Sequence, residues 1–175
     1  MASVIRGSDT FDSSITGTIL QVVSKTISTQ GSQTIAVTDT QIGTGDDFQI
    51  SITPKGNNSK FIVSVRWFGE ISTAWEAVFN ILRDGARINT TNNLNYHGLS
   101  MPTTTYQAGD NNSTPDILNL QTLDSTGSTK GILTTYTLVC SDFNAATMWT
   151  NRCFGTVGAN YETGISELMV MEVAG

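Results

Sequence analysis

The sequence predicts an all-β fold, an antiparallel β-sandwich of jelly-roll-like type, and three observations carry that prediction. The first is composition: among 175 residues Thr occurs 27 times, Ser 17 and Asn 13, while charged residues are only 14%. Hydroxyl and β-branched residues favour strands and turns over helices. The second is residues 48–68, FQISITPKGNNSKFIVSVRWF, in which Phe48, Ile50 and Ile52 share one face, and Phe61, Val63, Val65 and Trp67 share another. A side-chain period of two is the signature of a half-buried strand. The third is recurrence, because short alternating runs separated by turn residues follow one another along most of the chain.

Taken in order, residues 1–16 show no sustained alternation and carry two apolar anchors, Val4-Ile5 and Phe11, between Gly and Ser. They read as an extended arm ahead of a single domain at residues 17–175, since such a segment needs a partner to order it. Strand runs are expected at residues 19–27, 34–38, 48–53, 61–68, 78–82, near Ile88, and at 103–106, 117–123, 132–140, 147–151 and 168–173. The turn Pro54-Lys55-Gly56-Asn57-Asn58-Ser59 combines preset φ, positive φ and local side-chain hydrogen bonds. Asp84-Gly85 between two apolar runs is the strongest short hairpin signal. In residues 74–82 the apolar positions also fit a helical face, and the Asp-Gly turn decides for strand. The longest loops fall at residues 90–101 and 107–115, with shorter tracts at 125–131 and 155–164, and specificity belongs in such loops. A chain of this length buries about 70% of its unfolded surface, enough for one self-sufficient core.

Charge and motif content exclude several classes. The net charge is −6 and the nine basic residues are scattered, so no stripe of Lys and Arg is available to hold nucleic acid or an anionic membrane. No apolar run approaches the roughly 20 residues that span a bilayer, and the N-terminus lacks the apolar stretch of a secretory signal. Membrane insertion and standard secretion are therefore not expected, and the sequons at Asn57, Asn89, Asn111 and Asn112 read as turn residues. Cys140 and Cys153 are too far apart for a redox CxxC and too few for a disulfide framework; both read as buried small apolar residues.

Catalytic chemistry is not signalled. The one histidine, His97, stands in an Asn-rich stretch with no GxSxG elbow, and one His with two distant Cys has no zinc-ligand spacing. Asp46-Asp47 lacks the remainder of an acidic calcium loop and reads as a solvated turn. No glycine-rich phosphate loop is present, and a carboxylate pair for glycoside hydrolysis, drawn from separate strands, is neither supported nor excluded. No catalytic residue, cofactor or metal is assigned. Trp67 and Trp149 lie in strand runs and are expected in the core, whereas Trp75, Tyr96, Tyr106 and Tyr161 flank loops. Loop aromatics pack locally, stack on sugars or anchor interfaces.

Four segments, GTILQVVSKT at residues 17–26, SITPKGNNSKFIVSV at 51–65, ILRDGARI at 81–88 and SELMVMEVAG at 166–175, together resemble the short β-rich tail-fibre-like proteins of tailed bacteriophages, of the cyanophage and marine-phage type. Thr134-Thr135-Tyr136-Thr137-Leu138 and Asn151-Arg152 match further strands of that pattern, and VIRGSDTFDSS resembles its N-terminal segment. The resemblance implies a virion structural protein: a homotrimeric jelly-roll-like subunit of a tail fibre or tail tip, made in the bacterial host cytoplasm and carried in the particle. It implies that the arm, with Val4, Ile5, Arg6 and Phe11, docks on other virion proteins. The loops would then present Trp75, Tyr96, His97 and Tyr106 to a host surface, with a glycan as ligand. A capsid decoration protein that cements the head is the alternative, and a glycan depolymerase is a third reading. The region 90–115 is longer and richer in Asn than the family pattern, so no relative's ligand transfers to it. A weakly charged, hydroxyl-rich surface suits a particle released into water of any salinity.

Overall fold

A computed structural model of the chain describes residues 17–72, 76–89, 98–101, 115–155 and 161–175. Eleven strands occur among these residues, and no α-helix does: β1 Ile19–Ile27, β2 Gly31–Thr34, β3 Thr40–Gln41, β4 Gln49–Ile52, β5 Lys60–Ile71, β6 Ala77–Arg83, β7 Ala86–Arg87, β8 Asp116–Asp124, β9 Thr134–Asp142, β10 Thr147–Thr150 and β11 Ser166–Val173. The protein is an all-β sandwich of two antiparallel sheets. The arm at residues 1–16 and the strand expected at 103–106 lie outside the described residues.

Each sheet resolves into four lanes. In the first sheet, β5 pairs with β8 on one side and with β11 and then β10 on the other, so β10 and β11 lie end to end. β1 pairs with β11 and β2 with β10, which places β1 and β2 end to end along the outer edge. The lanes therefore run β8, β5, β11/β10, β1/β2. In the second sheet β9 pairs with β4 and β3 on one side and β6 on the other, and β7 adds to β6, giving β4/β3, β9, β6, β7. Ser100 bridges to Phe79 beyond β7 in the last lane.

Alternation places the core between the sheets. Phe61, Val63, Val65 and Trp67 from β5, Leu118 and Leu120 from β8 and Leu168 and Val170 from β11 meet Ile50, Ile52, Phe79, Ile81, Tyr136 and Leu138 from the other sheet, all buried. Trp67 tilts against Phe79 at 5.3 Å and its indole N–H reaches Thr150 Oγ1 at 3.3 Å. Gly69 is required by close approach, because a Cβ there would stand 2.1 Å from the Trp149 carbonyl oxygen.

The two runs around the 54–59 turn are β4 and β5, and they do not pair with each other. β4 belongs to one sheet and β5 to the other, so the turn crosses the sandwich. The Asp-Gly signal does form a hairpin: Leu82 faces Arg87 and Arg83 faces Ala86, with φ of 49° at Asp84 and 86° at Gly85. Positive φ at both turn positions matches the twist of paired strands.

Three expectations need correction, and one strand was not expected. The run at 34–38 yields β2 at Gly31–Thr34, because residues beyond it turn to carry the chain to the second sheet. β3, only two residues long, had no visible alternation. β9 begins at Thr134; Gly131 takes φ 81°, and Ile132 and Leu133 remain exposed ahead of the strand. Trp149 is half-buried and points away from the core, resting on Phe154 at 5.0 Å, while its neighbour Met148 is the buried residue. Cys140 and Cys153 are both buried, and burial, aided by Asp142 and Asp39, pushes the Cys140 thiol well above its ordinary range.

Candidate functional site

The polar residues inside the recognisable motifs are structural ties. Glu172, fully buried near the end of β11, accepts from the backbone N–H of Lys55 (2.9 and 3.0 Å) and Gly56 (2.9 Å), from Ser59 Oγ (2.7 Å) and from Gln21 Nε2 (2.6 Å). One carboxylate thus joins the LQVV strand, the 54–59 crossing and the C-terminal strand. Burial pushes this carboxyl up, and the donors, Lys55 N–H foremost, outweigh burial and hold it below the usual carboxylate range.

A second tie links the hairpin to β8 and β9. Asp124 accepts from Arg83 Nη1 (2.9 Å) and from the Tyr136 hydroxyl (2.7 Å), Arg83 Nη2 donates to the Gly127 carbonyl (2.7 Å), and the guanidinium stands 5.5 Å over the Phe61 ring. Burial opposes ionisation of Asp124, and hydrogen bonds from Thr126 and Tyr136 together with Arg83 bring it below its ordinary value. The Tyr136 phenol is correspondingly raised, by burial first and by Asp124 second. The third tie is Asn151, whose amide donates to the carbonyls of Ile27 and Thr29 (2.9 Å each) and accepts from Ser166 Oγ (2.7 Å). It locks the β1–β2 junction to the β10–β11 junction.

None of the residues expected to make functional contacts can be placed. Val4, Ile5, Arg6, Phe11, Trp75, Tyr96, His97 and Tyr106 all lie outside the described residues. Asp47, weighed as a calcium ligand, accepts from Thr44 N–H at 3.3 Å and Thr44 Oγ1 at 3.2 Å and so closes its own turn. Among the described residues no three of His, Cys, Asp and Glu gather as a metal centre would require.

What the fold does build is a groove of about 370 Å³ on the outer face of the second sheet. Its floor is Leu82, Thr135, Thr137 and Val139, and its sides are Gln41 and Gln49 from one edge and Asp84-Gly85 from the hairpin. Asp39 forms the end wall and is gripped by Arg87 in a fork, Nε to Oδ2 at 2.5 Å and Nη2 to Oδ1 at 2.7 Å. Asp39 precedes β3 at one edge and Arg87 is in β7 at the other, so the pair closes over the outer face across β9 and β6. The hydrogen bond that Arg87 donates to Asp39 raises its guanidinium further above its already high value. Gln49 Nε2 donates to Gln41 Oε1 at 2.9 Å, fixing both amides. Asp84 Oδ1 accepts from Thr135 N–H at 2.8 Å, with Oδ2 3.9 Å from Arg83 Nε.

On the same face Asn80 lies opposite Val139 and Ser141 opposite Val78. Asn80 and Ser141 are fully buried, and among the described residues the Asn80 amide and the Ser141 hydroxyl have no hydrogen-bond partner. Unpartnered buried polar groups are rare in native proteins and call for an explanation. Sequence reasoning missed the groove because Asp39, Gln49, Arg87 and Thr137 share no motif or spacing, and strand register alone brings them together.

A shallower depression of about 320 Å³ crosses the outer face of the first sheet over Ser64, Arg66, Asn119, Gln121 and Glu167. Beside it lies an apolar row. Leu123 faces Ile62, Ile62 faces Met171 and Met171 faces Val22, one residue from each of four lanes. Leu123 is 48% exposed and Val22 51%, and Ile19, beside Val173 in the next row, is 51% exposed. No protein-family model matches the chain, and no curated protein matches it significantly.

Proposed function

We propose that this chain is a structural protein of a tailed-bacteriophage virion, a homotrimeric tail-fibre or tail-tip subunit that attaches through residues 1–16 and contacts the host surface. The observation that carries the assembly part is the apolar row Leu123–Ile62–Met171–Val22, continued by Val173 and Ile19. A contiguous, half-exposed apolar band on the outer face of a sheet marks a surface that meets another protein. The virion part is supported by the resemblance and by where its motifs fall: the LQVV, TPKGNNS and MEVAG segments converge on Glu172, and RDG and TTY converge on Asp124. These motifs maintain a sandwich and leave the outer faces to vary.

The lane order supports the jelly-roll reading. β2 to β3, β4 to β5, β5 to β6, β7 to β8, β8 to β9 and β9 to β10 each pass from one four-lane sheet to the other, as two interleaved Greek keys require. Among the described residues no strand pairs with the outer edge of β8 or of β1/β2, and a trimer is one way to cover such edges.

Gold-labelled antibody against the chain, viewed on intact virions by electron microscopy, tests the placement. The expected label is at the tail. Label over the head would replace the fibre reading with shell reinforcement, and an unlabelled particle would reject both. Light scattering on the full chain tests assembly: a trimer is expected, reduced to monomer by Ile62→Asp.

A further inference from the structure

We infer that the groove over β9 is a saccharide-binding site for a neutral sugar, with the Asp39–Arg87 fork as its end wall. This rests on the host-contact part of the reading above and gives that contact a place and a ligand class. Three properties of the groove select the ligand. Asp39 is neutralised by the Arg87 fork at 2.5 and 2.7 Å, and Asp84 stands 3.9 Å from an Arg83 that Asp124 already holds at 2.9 Å, so both arginines are committed to carboxylates and the groove does not favour an anionic ligand. The floor sets Leu82 and Val139 beside Thr135 and Thr137, and the rim carries the coupled Gln41–Gln49 amides and the Asp39 and Asp84 carboxylates. A floor that mixes aliphatic and hydroxyl side chains, ringed by fixed donors and acceptors, complements a pyranose, which has C–H faces and hydroxyl edges, and a volume of about 370 Å³ is within the ~300–1,000 Å³ of small-ligand sites.

The fourth property is preorganisation. The fork spans two strands and the Gln49-to-Gln41 bond holds the amides before any ligand arrives, which reduces the ordering cost of binding.

The test is saturation-transfer NMR on the full chain with the methyl glycosides of glucose, galactose, mannose and rhamnose as probes. At least one should receive saturation from the protein. Thr137→Phe fills the groove from a half-exposed strand position and should abolish that signal, while Gln49→Ala should weaken binding by about tenfold. Gln121→Phe, on the outer face of the opposite sheet, should leave binding unchanged, with circular dichroism confirming that all variants fold. No saturation of any of the four probes overturns the inference, and so does a signal that survives in folded Thr137→Phe. Tail label on the virion together with silent probes would reject this site and leave the tail-fibre reading standing; bound glycoside with an unlabelled particle would do the reverse.

Discussion

Replacing Glu172 by alanine is expected to be among the most damaging single substitutions in this protein. Four donors converge on the carboxylate, and the consequences differ for each. Gln21 Nε2 keeps a second acceptor, the Thr53 carbonyl at 2.7 Å, and the Lys55 N–H belongs to an exposed residue that water reaches. The Gly56 N–H and the Ser59 hydroxyl are buried and lose their acceptor. An orphaned buried donor costs about 1–3 kcal/mol, so two of them plus the lost packing amount to roughly 4 kcal/mol, or about 10 °C in Tm for a chain of this size. Glu172→Gln retains an oxygen for Lys55, Gly56 and Ser59 and surrenders only the charge and the bond from Gln21, so about 1–2 kcal/mol is expected. Urea unfolding checks both, with the midpoint moving at constant slope. The pH dependence follows from the carboxyl being held below its ordinary value when folded. As pH falls the unfolded chain takes up the proton first, so the stabilisation is complete above the ordinary Glu pKa of about 4.3 and disappears as pH drops through the folded value. The gap between wild type and Glu172→Gln should therefore be widest near neutrality and close in acid. A Glu172→Ala protein within about 1 kcal/mol of wild type would refute the convergence as a source of stability.

Three further outcomes are expected. Tyr136→Phe and Asp124→Asn should be non-additive in a double-mutant cycle by about 1 kcal/mol or more, since the hydroxyl and carboxylate meet at 2.7 Å out of solvent. Gly69→Ala should fail to fold or lose several kcal/mol, because its Cβ would enter the Trp149 carbonyl and the Trp67 ring; a stable, soluble variant seen by thermal melt would contradict the close approach. Cys140 and Cys153 should resist a thiol reagent in the native protein at pH 8 and react in urea, as buried thiols do; rapid labelling without denaturant would contradict their burial.

How much of this was legible in the sequence depended on whether the signal was local. β1 falls on residues 19–27 as its alternation predicts, and the Asp84-Gly85 hairpin forms because its two positive-φ positions are a property of two adjacent residues. Where pairing is decided far along the chain, alternation was silent. The runs on either side of Pro54–Ser59 have the pattern of a hairpin, yet their partners are β9 for one and β8 and β11 for the other. What selects the crossing is Glu172, more than a hundred residues away, which takes the N–H groups that a hairpin turn would have spent on itself. Residue identity at Glu172 announced none of this, since a glutamate on an alternating strand reads as a solvent-facing position.

The candidate groove extends the same argument to function. Period-two patterning tells which residues share a face, as Thr135, Thr137 and Val139 do on β9. It cannot tell which strands flank that face, and so Asp39 and Arg87, 48 residues apart, carried no common signal. In a sandwich wound from lane to lane, a surface site is assembled from residues whose spacing is set by the lengths of the crossings between sheets. A change in the length of the β2–β3 crossing, which carries Asp39, would move the fork without disturbing the Glu172 or Asp124 ties. The framework and the binding surface can therefore diverge independently, which is how one set of structural motifs would serve subunits that meet different host sugars.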